Sequence, residues 1–181
     1  MHRDIMIFSL LSLALVAVFT VGAGAAEARS TRYIAYDARD RTTQALTRGV
    51  TLEVERGLFG AIAVRNLYST TSRGSARFER GGPQDVRSAL PQGARESAVY
   101  QIVMEQDGRG LAQALCPGSE MAWVVAGRVR VARPLTLHAV GLWPDGKYRH
   151  CVQLNYDYRG EWALPADATA LGDGALPTGP N

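Results

Sequence analysis

Lysine is nearly missing from this chain: Lys147 stands alone, and arginine supplies the rest of the 20 basic side chains. An arginine bias of that kind follows from base composition as readily as from function, so it names no polyanionic partner by itself. Histidine occurs three times and cysteine twice. The dinucleotide pattern G-x-G-x-x-G, the phosphate-cradling P-loop and the zinc-protease pattern H-E-x-x-H are all absent, which removes the mechanisms those spacings serve. No internal repeat recurs, so stacked-repeat architectures are excluded. Charge is modest at 20% and apolar residues reach 46%, a balance that fills a core and argues against wholesale disorder. A length of 181 residues suits one domain and rules out several large ones.

What is present begins with an apolar run from Ile5 to Val21, followed by Gly22-Ala23-Gly24-Ala25-Ala26-Glu27-Ala28. Apolar stretch then small residues is the order of a secretory leader. The reading is a signal peptide over 1–28, a single β-rich domain over 29–165 and a loose tail over 166–181, rich in Ala, Gly, Pro and Thr. The alternative is a retained anchor, for which the run is short. The expected location is therefore the periplasm or the secreted fraction. Past the leader the charge is uneven: residues 29–95 carry 12 basic and 6 acidic side chains, and residues 96–181 carry 7 and 9.

Export gives the two cysteines a meaning. Cys116 and Cys151 are an even pair in an oxidising compartment, so a disulfide is expected. They lie too far apart for a C-x-x-C redox site, and with only His138 and His150 beyond the leader zinc is short of ligands. No cofactor is expected.

The fold class reads as mainly β or α+β: a predominantly antiparallel sheet, able to curl into a small barrel, with a few short helices. Val50, Leu52 and Val54 alternate with Thr51, Glu53 and Glu55, the period of a half-buried strand. Leu58 to Val64 reads as a further strand. Pro83 opens a short helix over Gln84 to Leu90, closed by Pro91. Leu111 to Leu115 makes a brief helix, and Asp107-Gly108-Arg109-Gly110 before it reads as a turn or bulge. From Met121 the alternation runs through Val125, Gly127, Val129 and Val131, predicting a strand that ends at Pro134. Leu135 to Trp143 and Tyr148 to Tyr156 then flank Pro144-Asp145-Gly146, the clearest hairpin in the chain. Strict alternation places Tyr148, His150, Val152, Leu154 and Tyr156 on one face. Arg159 to Pro165 reads as a final edge strand.

No spacing fixes a catalytic constellation. His138 and His150 read as ordinary sheet histidines, and Ser69 to Ser72 as a loop. Aromatic and arginine side chains crowd the C-terminal third instead, and Trp143, Tyr148, Arg149, Tyr158 and Trp162 are the candidate binding residues, groups suited to glycan, peptide or protein surfaces. The expectation is an exported, non-catalytic binding domain whose partner is an envelope or secreted protein or an anionic glycan. Nucleic acid is not expected, and membrane contact is expected only if the leader is retained. The alternative is a small hydrolase or transferase with a polar site assembled from distant loops.

Intact mass of exported protein is expected to show a chain beginning between Ala26 and Ser30; retention of Met1 in the exported form defeats the cleavage reading.

Overall fold

The computed structural model describes residues 31–56, 62–71, 74–105 and 107–163; the leader, the C-terminal tail and the first part of the Leu58 to Val64 strand lie outside them. Eight strands, β1 (Thr31–Ala38), β2 (Gly49–Arg56), β3 (Ile62–Ser69), β4 (Ser75–Arg80), β5 (Ala98–Ile102), β6 (Met121–Ala126), β7 (Leu135–Leu142) and β8 (Tyr148–Ala163), pair antiparallel in chain order, and β8 returns to β1 to close a barrel. Three short helices sit in the connections: α1 (Arg41–Leu46), α2 (Gln84–Ser88) and α3 (Asp107–Leu115).

Alternation explains the interior. Ile34, Tyr36, Leu52, Val54, Leu67, Phe78, Ile102, Val124, Leu137 and Leu154 point inward into one continuous buried cluster, while Glu53, Glu55, Arg65 and Arg77 lie on the outer face with polar partners. Apolar inside and charged outside is the reverse of a membrane-spanning barrel. Among the described residues, no helix is long and apolar enough to cross a membrane.

The two ends are closed differently. At one end α3 drops Leu111, Ala112 and Leu115 onto the core. Its approach is close enough that a Cβ on Gly108 would stand 2.0 Å from the Val103 carbonyl oxygen. Beside it, Asp40 caps α1 by accepting from the Thr43 amide at 2.8 Å, and its other oxygen accepts from Asn155 Nδ2 at 3.1 Å. These bonds hold the Asp40 carboxyl below the usual carboxylate range, the Thr43 amide contributing most. The buried Thr47 hydroxyl meets the Tyr156 hydroxyl at 2.9 Å. At the opposite end the 127–134 connection crosses the mouth and tucks Val129 into the core.

Three expectations change here. The alternation expected to continue past Ala126 is a connection and not strand: Gly127 still donates to the Thr136 carbonyl at 3.0 Å, but Ala132 adopts φ +57 and the chain turns back. Asp107 to Gly110 is the first turn of α3 and not a separate turn or bulge before it. The segment from Arg159 is the continuation of β8, paired with β1, so closure leaves no edge there.

A second, smaller core lies outside the wall. Val99, Trp123, Val125 and Val140 project outward and are covered by Val86 of α2, with Ala89, Leu90 and Tyr148 at the margin. The chain entering α2 passes so near Trp123 that a Cβ on Gly82 would stand 2.9 Å from the indole.

The disulfide is present: Cys116, just past α3, is bonded to Cys151 of β8, at a sequence separation of 35 and with Cα atoms 5.3 Å apart. Replacing both cysteines by serine is expected to lower stability by about 3–4 kcal/mol through the freed unfolded chain, read as a shift of the denaturant midpoint; a shift under about 1 kcal/mol would show that the bridge constrains little.

Candidate functional site

The β7–β8 hairpin carries most of the chemistry-bearing side chains, and its register contains a bulge. Ala139 pairs with Val152 and Val140 with His150, leaving Cys151 as the extra residue. A bulge resets which face each side chain takes. Val152, Leu154 and Tyr156 face the interior core, whereas Tyr148 packs on the outer one. The single-face stripe expected from strict alternation is therefore split at Cys151. The same shift brings the two histidines together on the outer wall: His138 Nδ1 and His150 Nε2 are 3.0 Å apart.

A third group joins them from a distant part of the chain. The connection from α2 to β5 lays Glu96 against His138, with Oε2 3.2 Å from Nε2. His138 is 3% exposed. With Glu96 ionised and His138 neutral, Nε2 of His138 carries the proton and donates to the carboxylate, and its Nδ1 accepts from His150 Nε2–H. His150 then carries its unprotonated nitrogen at Nδ1. The result is an ordered chain, carboxylate to imidazole to imidazole, able to pass a proton between Glu96 and the outer end of His150. Burial lowers the His150 pKa below the ordinary histidine value of 6.5, with His138 adding to the effect. A cleft of about 310 Å³, lined by residues 91–96, Thr136, His138 and Gln153, opens beside this chain. Among the described residues, no hydroxyl or thiol is hydrogen-bonded to either ring; the Thr136 hydroxyl donates to Asn155 Oδ1 at 3.3 Å instead. Nor do the described residues hold a group of three or more side chains placed to bind a metal ion.

The five expected binding residues do not converge. Trp143 and Arg149 meet at the hairpin turn, the guanidinium 5.2 Å from the indole centroid, and Arg149 also pairs with Asp145. Tyr148 lies against Trp123, ring centroids 5.5 Å apart, in the outer core. Trp143 packs against the inner core, so the turn that adjoins Trp143 and Tyr148 in sequence sends them to opposite sides of the wall. Tyr158 stands edge-on to buried Tyr36 at 6.1 Å. Burial, and then the neighbouring Tyr158 and Glu161, push the Tyr36 hydroxyl up to about 12.

Trp162 is the aromatic member of the set that stands out in solvent, at 46% exposure. It stacks on Tyr33 with centroids 6.1 Å apart and planes 14° from parallel. From there an outward row continues across the barrel: Tyr33 pairs with Glu53 on β2, and Glu53 with Asn66 on β3. Glu53 Oε2 accepts from the Tyr68 hydroxyl at 2.6 Å and from Asn66 Nδ2 at 2.8 Å. Tyr68 is itself 38% exposed. Burial and this carboxylate raise the Tyr68 pKa, which keeps the phenol a donor. Tyr33, Glu53, Asn66 and Tyr68 were not legible as a site, because nothing in the sequence sets β1, β2 and β3 beside the end of β8.

The lowered His150 pKa has a consequence for stability. An unfolded histidine takes up its proton near pH 6.5, before the folded one does, so the contribution of this group is complete above about pH 6.5 and is lost as pH falls through the lowered folded value. In His150→Gln the amide still donates to His138 while the titration is gone. The drop in denaturant midpoint between pH 7.5 and pH 5 is expected to be smaller in the variant than in the parent; equal drops would remove His150 as its source. Compared with family models, with curated proteins and with solved structures, the chain matches none.

Proposed function

We propose that the chain is an exported, non-catalytic binding domain that recognises an envelope or secreted protein, or an anionic glycan, through the outer face of β8, β1, β2 and β3. The observation that carries this reading is the exposed Trp162–Tyr33 stack continuing into the Glu53, Asn66 and Tyr68 network. Flat aromatic groups with few rotatable bonds give contact area at low entropic cost, and Glu53 with its two donors supplies fixed polar groups beside them. The closed barrel beneath holds these side chains on strands rather than on loops, so little ordering is needed on binding. The apolar interior supports an outer recognition surface over a ligand carried in the lumen, since inward side chains already fill it.

A second reading, a small hydrolase or transferase, draws on the Glu96–His138–His150 chain, with His150 Nδ1 as the base. It needs a nucleophile or activated water at His150, which is not among the residues lining the neighbouring cleft. Loss of a measured turnover in folded His150→Gln would favour it.

Truncating Tyr33, Tyr68 or Trp162 to alanine is expected to weaken partner capture by about thirtyfold for at least one of them, the size of a 2 kcal/mol hot spot. The measurement is cross-linking in an envelope fraction and binding to an immobilised anionic polysaccharide, each beside a denaturation curve showing the variant folded. Undiminished capture by all three folded variants overturns the proposal.

A further inference from the structure

The ends of the barrel differ in charge. At the end where β1 begins and β8 finishes, the described connections 81–97 and 127–134 contain five arginines (Arg87, Arg95, Arg128, Arg130, Arg133) and two acids (Asp85, Glu96). At the other end, the described residues of connections 39–48, 70–74, 103–120 and 143–147 contain five basic and five acidic side chains. The strand ends sharpen the difference. Arg32, Arg56 and Arg80 register with the inward-facing Val54, Ile62 and Tyr100, and so rim the mouth.

Of the acids here, Asp85 has no side-chain partner among the described residues, but the others are engaged. Glu161 pairs with Arg56 at 3.0 Å and Arg32 at 3.5 Å, Glu96 with His138 at 3.2 Å, Glu55 with Arg65 at 2.8 Å and Glu79 with Arg77 at 3.5 Å. Apolar groups accompany the arginines. Val131 is 38% exposed near the apex of the 127–134 connection, and Trp162 stands at the same end of the barrel; among the described residues only three large hydrophobics are exposed, and these are two of them. An open cleft of about 410 Å³ joins Arg56, Arg128 and Arg130 to Ile62, Val129 and Val131. Val129, buried beneath, and the Gly127–Thr136 backbone bond hold the connection in place.

We infer that this end of the barrel docks on an anionic phospholipid surface, with Arg128, Arg130 and Arg133 on the headgroup phosphates and Val131 seated among the upper acyl carbons. Exposed valine flanked by arginines matches a layer whose outer part is anionic and whose next few ångströms are apolar, and each arginine near such a surface adds attraction that falls off within a Debye length. A soluble polyanion offers the charge without the apolar layer. Trp162 borders both surfaces, but Arg128, Arg130, Arg133 and Val131 lie apart from the Glu53 and Tyr68 network, so variants at these positions test the two proposals separately.

The test is sedimentation of the exported protein, its leader removed, with vesicles of pure phosphatidylcholine and of phosphatidylcholine containing 30 mol% phosphatidylglycerol. Binding is expected to be at least tenfold tighter to the anionic vesicles and to be abolished by about 0.5 M salt. The Arg128→Ala/Arg130→Ala/Arg133→Ala variant is expected to lose about a hundredfold, and Val131→Asp several-fold. Arg39→Ala/Arg41→Ala/Lys147→Ala at the opposite end and Tyr68→Ala are expected to stay within twofold. The leader is removed from every protein compared, since an apolar run from Ile5 to Val21 would hold either vesicle regardless of salt. Equal binding by a folded triple-arginine variant, or Val131→Asp matching the parent while soluble polyphosphate competes at equal phosphate, overturns the inference; circular dichroism and the Cys116–Cys151 bridge report that each variant is folded.

Discussion

Closure of the barrel rests on the length of β8. Its sixteen residues pair along the first part with β7 and along the last part with β1, so one strand satisfies backbone groups on both sides of what would otherwise be a seam. An open eight-stranded sheet would leave two rows of unpaired amides and carbonyls, a template for pairing with other chains. Irregularities at Ala35/Tyr36, Glu53/Val54 and Ala139/Val140 add the local bend that a small barrel needs. The irregularity at Ala139/Val140 also sets His150 beside His138.

Much of the fold was legible because strands and turns write locally. Val50, Leu52 and Val54 announced β2 by period alone, and Pro144-Asp145-Gly146 announced the hairpin. Cys116 and Cys151 announced their bridge by number and by the compartment read from the leader. Bulges write almost nothing: Cys151 in β8 has no composition that marks it as the extra residue, and missing it inverted the faces of Tyr148 and His150 relative to Val152. Alternation also misled at Val129 and Val131, two positions apart and so on one face of any strand, where one valine is buried and the other exposed.

The candidate site was less legible, for a related reason. A site on a barrel wall draws residues from strands that are neighbours only after closure. Trp162 and Tyr33 stand at opposite ends of the described chain yet stack because β8 meets β1. Glu96 reaches His138 across 42 positions of sequence. Aromatic density in the C-terminal third singled out Trp162, but that density also counted Tyr148 and Tyr158, whose rings are spent on packing.

The pairing of Arg32 with Ala163 joins the earliest and latest described segments of the chain, and this sets an order on folding. A polypeptide that emerges from a ribosome or a translocation pore with its N-terminus leading presents β1 first and its partner last. Hairpins β2–β3 and β7–β8, and the Cys116–Cys151 bond, need only nearby sequence, but the ring cannot shut until Ala163 has cleared the pore. Long-range contacts of this kind are the slow ones, and until they form one side of β1 is an open edge exposed to aggregation. Whatever receives the chain as it emerges must therefore shield its first strand for the whole time that the rest is being delivered.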